Sequence, residues 1–343
     1  MRPDTQKGMV LLMVLVLLAG LALMLAEFSR LLLTGHSVSA VSRAMLSSKQ
    51  LFGSAEALAA RILLQKDPPV ADSLFSPWAE DFPLLLEEIS VELESSEIAG
   101  EISDENSLFP LPALFARNVK EQARAHAHAR VFTRLTARLL LLRGIADSDT
   151  AADEYAQAFT EALLRWGGAV GAAPDKEEDE EYIEGAPSYL PPRARLLSPD
   201  ELLLVRWEQV SPDQARDVLL GDDRLPGIID LVSVWSGGPM NINTLHPVIL
   251  ESLVPDREKG QEFARFVQNV RSNPDSVLEA DWYNEAALKS VSSSDEFPFA
   301  CLGVRSSWFR LSLSVNVGAA QARCVGICRV SGDRLQWASR TFY

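Results

Sequence analysis

The chain has 343 residues, 47% of them apolar and 23% charged, with a formal net charge of −15. That length supplies about two domains with ample core-forming material, so neither disulfides nor metals are needed to hold it together. The acidic balance argues against a nucleic-acid binder, which needs a basic face to displace counterions. The charge is also uneven. Residues 1–65 carry six basic side chains against three acidic ones, a balance of +3, which leaves −18 on the remainder.

Met9 to Ala26 is a run of eighteen residues without a charge, bounded by Lys7 and Glu27. As a helix it is about 27 Å long, close to the apolar thickness of a bilayer. Arg2 and Lys7 precede it, so the N-terminus is expected in the cytoplasm and the acidic body outside. A cleaved signal peptide fits poorly. Gly20-Leu21-Ala22 would place the cut inside the apolar run, and a cut after Ala26 puts Met24 where a small residue belongs. The helical pattern then continues through Phe28, Leu31, Val38, Val41, Met45, Phe52, Ala55, Leu58 and Ile62, with no proline before Pro68-Pro69. Gly35 is the one weak point, costing about 1 kcal/mol relative to Ala. One helix over 9–66 is predicted, half of it in lipid (9–26) and half amphipathic.

Beyond the prolines, Ile89, Val91 and Leu93 alternate with Glu88, Ser90, Glu92 and Glu94, which predicts a half-buried strand. Ile98 to Ile102 would return beside it through Ser95-Ser96-Glu97. Two strands are not stable alone, and further strands occur only at the far end. There Phe309, Leu311, Leu313, Val315 and Val317 alternate with polar residues, Cys324–Val330 follows a Gly318-Ala319-Ala320 turn, and Leu335–Phe342 makes a third strand. Between these groups the sequence is helical: Val119–Arg143 and Ala151–Trp166, then the shorter Ser198–Val205, Ser211–Leu220, Pro247–Leu253 and Asp256–Asn273. Ser198 and Ser211 each precede a proline as N-caps, and Thr244 stands ahead of Pro247 in the same role. The expected fold is α+β. A sheet domain (67–107 and 297–343) is interrupted by a large, mainly helical insertion (108–296).

The N-terminal layout resembles the type IV pilin superfamily: a short basic leader ending in glycine, an apolar segment and a long first helix. The junction Gln6-Lys7-Gly8-Met9 implies cutting by a prepilin peptidase after Gly8, leaving Met9 as the new N-terminus. Pilins usually carry Glu at the fifth mature position, and here that position is Met13. A lone carboxylate at that depth is costly without a partner, usually taken to be the neighbouring subunit's terminal amine. Its absence resembles the type II secretion system protein K family of minor pseudopilins, whose sheet is interrupted by a large α-domain. Further matches are Glu101-Ile102-Ser103-Asp104-Glu105-Asn106 with Leu108-Phe109, then Glu161–Trp166, Tyr189 and Leu197–Val205. Met240-Asn241-Ile242-Asn243-Thr244 matches the family's Asn-x-Asn-Thr motif, and Leu302–Phe309 its final sheet. Pro110-Leu111-Pro112 departs from the family's Asn-rich ending.

The resemblance implies a single-pass inner-membrane protein with a periplasmic body. Its partners would be minor pseudopilins I and J in the complex that starts and caps the pseudopilus, together with pseudopilus subunits and the prepilin peptidase, and no nucleic acid. Two other readings stay open: a minor pilin of a type IV pilus, and a membrane-anchored DNA-uptake or adhesion protein. The second would use Met240–Leu253, which resembles the start of a helix-hairpin-helix. Val254-Pro255-Asp256, however, replaces the glycine hairpin that would present N–H groups to phosphate. The packing reading has Asn243 and Thr244 capping the next helix.

Asp175 to Glu184 holds seven acids and one lysine and reads as a solvated loop. Calcium occurs among pseudopilins, so the resemblance keeps Ca²⁺ open here without naming ligands. His36, His126, His128 and His246 form no metal pattern, and no nucleophile–base–acid set stands out, so an enzyme is not expected. Cys324 and Cys328 would lie roughly 13 Å apart on one strand, beyond disulfide reach. A turn near Ala319 would set Cys324 opposite Val315 and Cys328 opposite Leu311, leaving Cys301 away from both.

Overall fold

The computed structural model describes residues 4–64, 70–93, 96–116, 119–169, 182–183, 188–274, 276, 278–317 and 320–343. Helix α1 (Asp4–Leu63) is continuous for 60 residues, about 90 Å. Its stretch Leu11–Leu31 has a mean hydropathy of 2.6 and none of it is buried within the chain. The candidate span thus runs past Glu27, which lies one turn before Arg30 at 3.8 Å. Its C-terminal part packs inward, through Ala44, Ser48, Phe52, Ala55 and Ala59.

Helix α2 (Pro77–Glu92) corrects the strand expected at 88–94. Ser76 takes the N-cap position and Pro77 the first turn, where a missing N–H is harmless. Trp78, Phe82 and Leu86 then repeat every four residues and are buried. Pro83 inside the helix hides that period in the sequence, because an interior proline normally breaks a helix. Strand β1 (Ser96–Asp104) is not the second arm of a local hairpin either. It pairs antiparallel with β6 (Trp308–Val317), setting Ile98 opposite Val315 and Ile102 opposite Leu311.

The two-residue strands β2 (Phe109–Pro110), β3 (Val232–Ser233), β4 (Met240–Asn241) and β5 (Leu302–Gly303) form two parallel pairs, β2 with β3 and β4 with β5. The insertion holds α3 (Val119–Leu142), α4 (Asp149–Trp166), α5 (Pro212–Leu220), α6 (Pro247–Ser252), α7 (Arg257–Arg271) and α8 (Asn284–Ser290). Ser198 and Ser211 cap as expected, each completing a reciprocal pair with the residue three further on, Glu201 and Gln214. Pro199–Leu204 winds as a tighter 3₁₀ turn. At α6 the expectation fails: His246, not Thr244, is the N-cap, its Nδ1 accepting the Val248 N–H.

Strands β7 (Ala320–Ser331) and β8 (Arg334–Phe342) complete a four-stranded antiparallel sheet in the order β1-β6-β7-β8. Val317 pairs with Ala320, so Cys324 faces Leu313 and Cys328 faces Phe309. This is two residues from the expected register. Because side chains alternate with period two, the shift leaves both cysteines on the expected face. That face packs on α1 and α2, with Phe309 edge-on to Trp78 at 5.5 Å. A second, larger core fills the insertion around Phe132, Leu135, Phe159, Leu163, Ile249 and Phe263. Each such side chain contributes roughly 1.5–3 kcal/mol by leaving water.

Candidate functional site

Where the two cores meet, separated stretches of chain converge on one buried carboxylate, Asp104, at the end of β1. Its Oδ1 accepts the Asn106 N–H at 2.7 Å. Its Oδ2 accepts from Asn241 Nδ2 at 3.0 Å and from the Thr244 and Ser306 hydroxyls, both at 2.5 Å. Burial pushes its pKa up to about 6, against the hydrogen bonds from Ser306, Thr244, Asn106 and Asn241. Asp72, in the loop before α2, joins the same cluster. Its carboxylate accepts the Ser306 N–H at 2.8 Å and Trp78 Nε1 at 3.3 Å, and its carbonyl accepts from Asn241 and Asn243. Trp282 Nε1 donates to Asn243 Oδ1 at 2.9 Å, drawing in the start of α8.

The next two residues extend the seam. Glu105, 1% exposed, holds Arg310 through two bonds of 3.0 Å and accepts from Ser233 at 2.9 Å. Asn106 donates to Ser236 and the Pro239 carbonyl, while its Oδ1 accepts the N–H groups of Ser307 and Trp308. Each carboxylate here accepts hydrogen bonds from the chain itself, two at Asp72, four at Asp104 and three at Glu105. Such a network fixes the orientation of the segments it joins. Among the described residues no three His, Cys, Asp or Glu gather where they could hold a metal ion.

One pair has the composition of a nucleophile and base. Cys301 Sγ lies 3.4 Å from His128 Nδ1, which is itself 2.9 Å from the Arg124 carbonyl. Burial lowers the histidine to about 4 and raises the thiol to about 11. Both shifts favour neutral forms, the opposite of a thiolate–imidazolium pair. The pair is core packing.

The residues singled out in the leader stay apart from this cluster. Gly8 lies inside α1, and Met9 and Met13 are 71% and 73% exposed along its apolar stretch. The acidic run considered for Ca²⁺ lies, up to Glu181 and at Glu184, outside the described residues. In the segment resembling a helix-hairpin-helix, Asp256 caps α7 by accepting the Lys259 N–H at 3.0 Å. Arg134 and Arg138 of α3 hold the carbonyls of Leu253 and Glu251, each at 2.9 Å. That turn is packed and internally satisfied.

No family model matches the chain. Type II secretion system protein K of Klebsiella pneumoniae is 26% identical to it over 327 residues, 92% of this chain and 90% of that protein. The chain is similar to protein K almost end to end. The crystal structure of the GspK–GspI–GspJ complex from the enterotoxigenic Escherichia coli type 2 secretion system contains the same fold. The TM-score is 0.59 at 18% identity, covering 88% of this chain and 99% of that one. The motifs quoted from sequence for this resemblance, the Glu101–Asn106 segment, Asn241-Ile242-Asn243-Thr244 and Leu302–Phe309, are the stretches that meet in the polar junction. Asp72 and Trp282 were not singled out. Asp72 gives only the signal of an acid between Val70-Ala71 and Leu74-Phe75, and Trp282 only that of an aromatic residue in a polar stretch.

Proposed function

We propose that the chain is a minor pseudopilin of a bacterial type II secretion system. It joins minor pseudopilins I and J in the tip complex that starts and caps the periplasmic pseudopilus. The observation that carries this reading is the likeness to protein K, which covers 92% of this chain and 90% of that protein. The fold supports a structural, non-enzymatic role: an exposed apolar helix for the membrane and a polar junction that holds the insertion rigidly on the sheet.

In this reading residues 1–8 are a leader removed by the prepilin peptidase, with the cut between Gly8 and Met9. Residues 9–66 anchor the chain in the inner membrane with a cytoplasmic N-terminus, and the acidic body lies in the periplasm. The sheet domain (67–107 and 297–343) then carries the insertion (108–296). Met13 leaves no carboxylate for a subunit ahead, which suits a position at the tip. The test is co-expression with the I and J subunits of the same system, followed by purification through a tag on this chain. A stoichiometric three-subunit complex is expected. Recovery of this chain alone, with I and J associated only with each other, would reject the assignment.

A further inference from the structure

Residues 301–343 carry six arginines, no lysine and one acid, a balance of +5, whereas residues 66–300 carry −23. The strand pairing sorts these arginines. Arg340 turns inward to Glu56 at 3.2 Å, and Arg310 is held by Glu105. Arg323, Arg329 and Arg334 stand exposed on the outer face of β7 and β8. Among the described residues no carboxylate lies within ion-pair distance of these three. Arg329 sits over the Trp308 ring at 5.7 Å. Arg323 and Arg329 are six residues apart on one strand, about 20 Å. Beside them is a cleft of about 450 Å³, with Val325, Ile327, Ser339 and Thr341 on its sheet side and Leu197, Trp235, Asp200 and Asp230 on the side of the insertion, so the acids of a ligand must fall on the arginines outside it.

We propose that this face docks a carboxylate-rich segment of another protein, which seats an apolar side chain in the cleft and sets its acids on Arg323, Arg329 and Arg334. Unpaired arginines on so acidic a molecule create one attractive patch within a repulsive field, so they select both the sign and the orientation of a partner. Their spacing exceeds what one small anion can span and fits about six residues of extended chain. A second copy is the poorer occupant. The acids of this sheet, such as Glu97 and Glu101 on β1, lie at its opposite edge. Those two acids would face three arginines, and Glu97 already accepts from Asn316 Nδ2 at 3.1 Å.

The probe is a labelled nine-residue peptide with one central Leu among glutamates, compared with its lysine counterpart. Each is titrated into the detergent-solubilised full chain and followed by fluorescence anisotropy. The glutamate peptide is expected to bind at least tenfold tighter than the lysine peptide, and to weaken as salt rises. Replacing all three residues (Arg323→Gln, Arg329→Gln, Arg334→Gln) should weaken it at least tenfold. Ser339→Trp, which fills the cleft and leaves the charges in place, should weaken it as well. No binding to the wild type, equal binding of both peptides, or binding unmoved by either set of substitutions would overturn the proposal. Self-association of the wild type that the glutamine variant lacks would assign the face to a second copy and overturn it too.

Discussion

Removing the Asp104 carboxylate would take a shared acceptor from four donors at once, the Asn106 N–H, the Asn241 amide and the hydroxyls of Thr244 and Ser306, of which Asn241 keeps the Asp72 carbonyl. An unpaired buried donor costs about 1–3 kcal/mol, and two of these are hydroxyls that can turn to other acceptors. Asp104→Ala is therefore expected to lose about 3–5 kcal/mol, read as a shift in urea midpoint, with faster proteolysis between sheet and insertion. Asp104→Asn keeps the shape and should lose less. Two buried groups contribute to the pH dependence with opposite sign. Asp104 titrates near 6 when folded against 3.8 otherwise, so it contributes stability below about 3.8 that is lost as pH rises through about 6. His128 titrates near 4 against 6.5, so its stability is present above 6.5 and is lost as pH falls towards 4. The histidine difference amounts to roughly 3 kcal/mol. His128→Leu should therefore gain about 2–3 kcal/mol relative to wild type between pH 7 and pH 4.5, measured by urea titration at both. A constant difference across that range would rule out a buried neutral histidine.

Within elements, close backbone contacts outweigh propensity. Gly260 lies in α7, where Ala would ordinarily favour the helix by about 1 kcal/mol. A Cβ there would approach the Glu251 carbonyl to 2.5 Å and Arg138 Nη2 to 2.7 Å. Gly260→Ala must push α7 away from α6 and disturb the arginine that holds Glu251, so a net loss of about 1–3 kcal/mol is expected. A thermal melt of the variant above that of wild type would contradict this crossing. The helix α2 teaches the same lesson from the other side. Its last turn alternates like a strand and Pro83 interrupts its period, yet burial of Trp78, Phe82 and Leu86 keeps it helical.

At the scale of the whole molecule, the predictions concern the anchor. If the leader is cut after Gly8, mature protein should begin at Met9 by N-terminal sequencing. Gly8→Val should then leave an uncleaved precursor in the membrane, because a branched side chain obstructs the peptidase. Met13→Glu is expected to give no gain in assembly and some loss, since its carboxylate would meet no amine in the apolar layer. The measurement is pseudopilus formation in a strain carrying only that variant. Longer or more numerous pseudopili with this chain along their length would exclude a tip position.

Local chemistry in the sequence was enough to place the elements that satisfy themselves. The apolar run to Ala26, the paired caps Ser198–Glu201 and Ser211–Gln214, and the alternation of Phe309 to Val315 each record a short-range rule: lipid solvation, unpaired N–H groups, one buried face. Tertiary structure alone decided which strand β1 would join, because backbone hydrogen bonds carry no address and Ile98 and Ile102 fit any apolar face. It also decided that Thr244 would serve Asp104 rather than α6, and that Asp72 and Ser306, 234 residues apart, would bond. A buried polar group takes whichever partner the packed cores bring within reach, and that choice is settled only when both cores are complete.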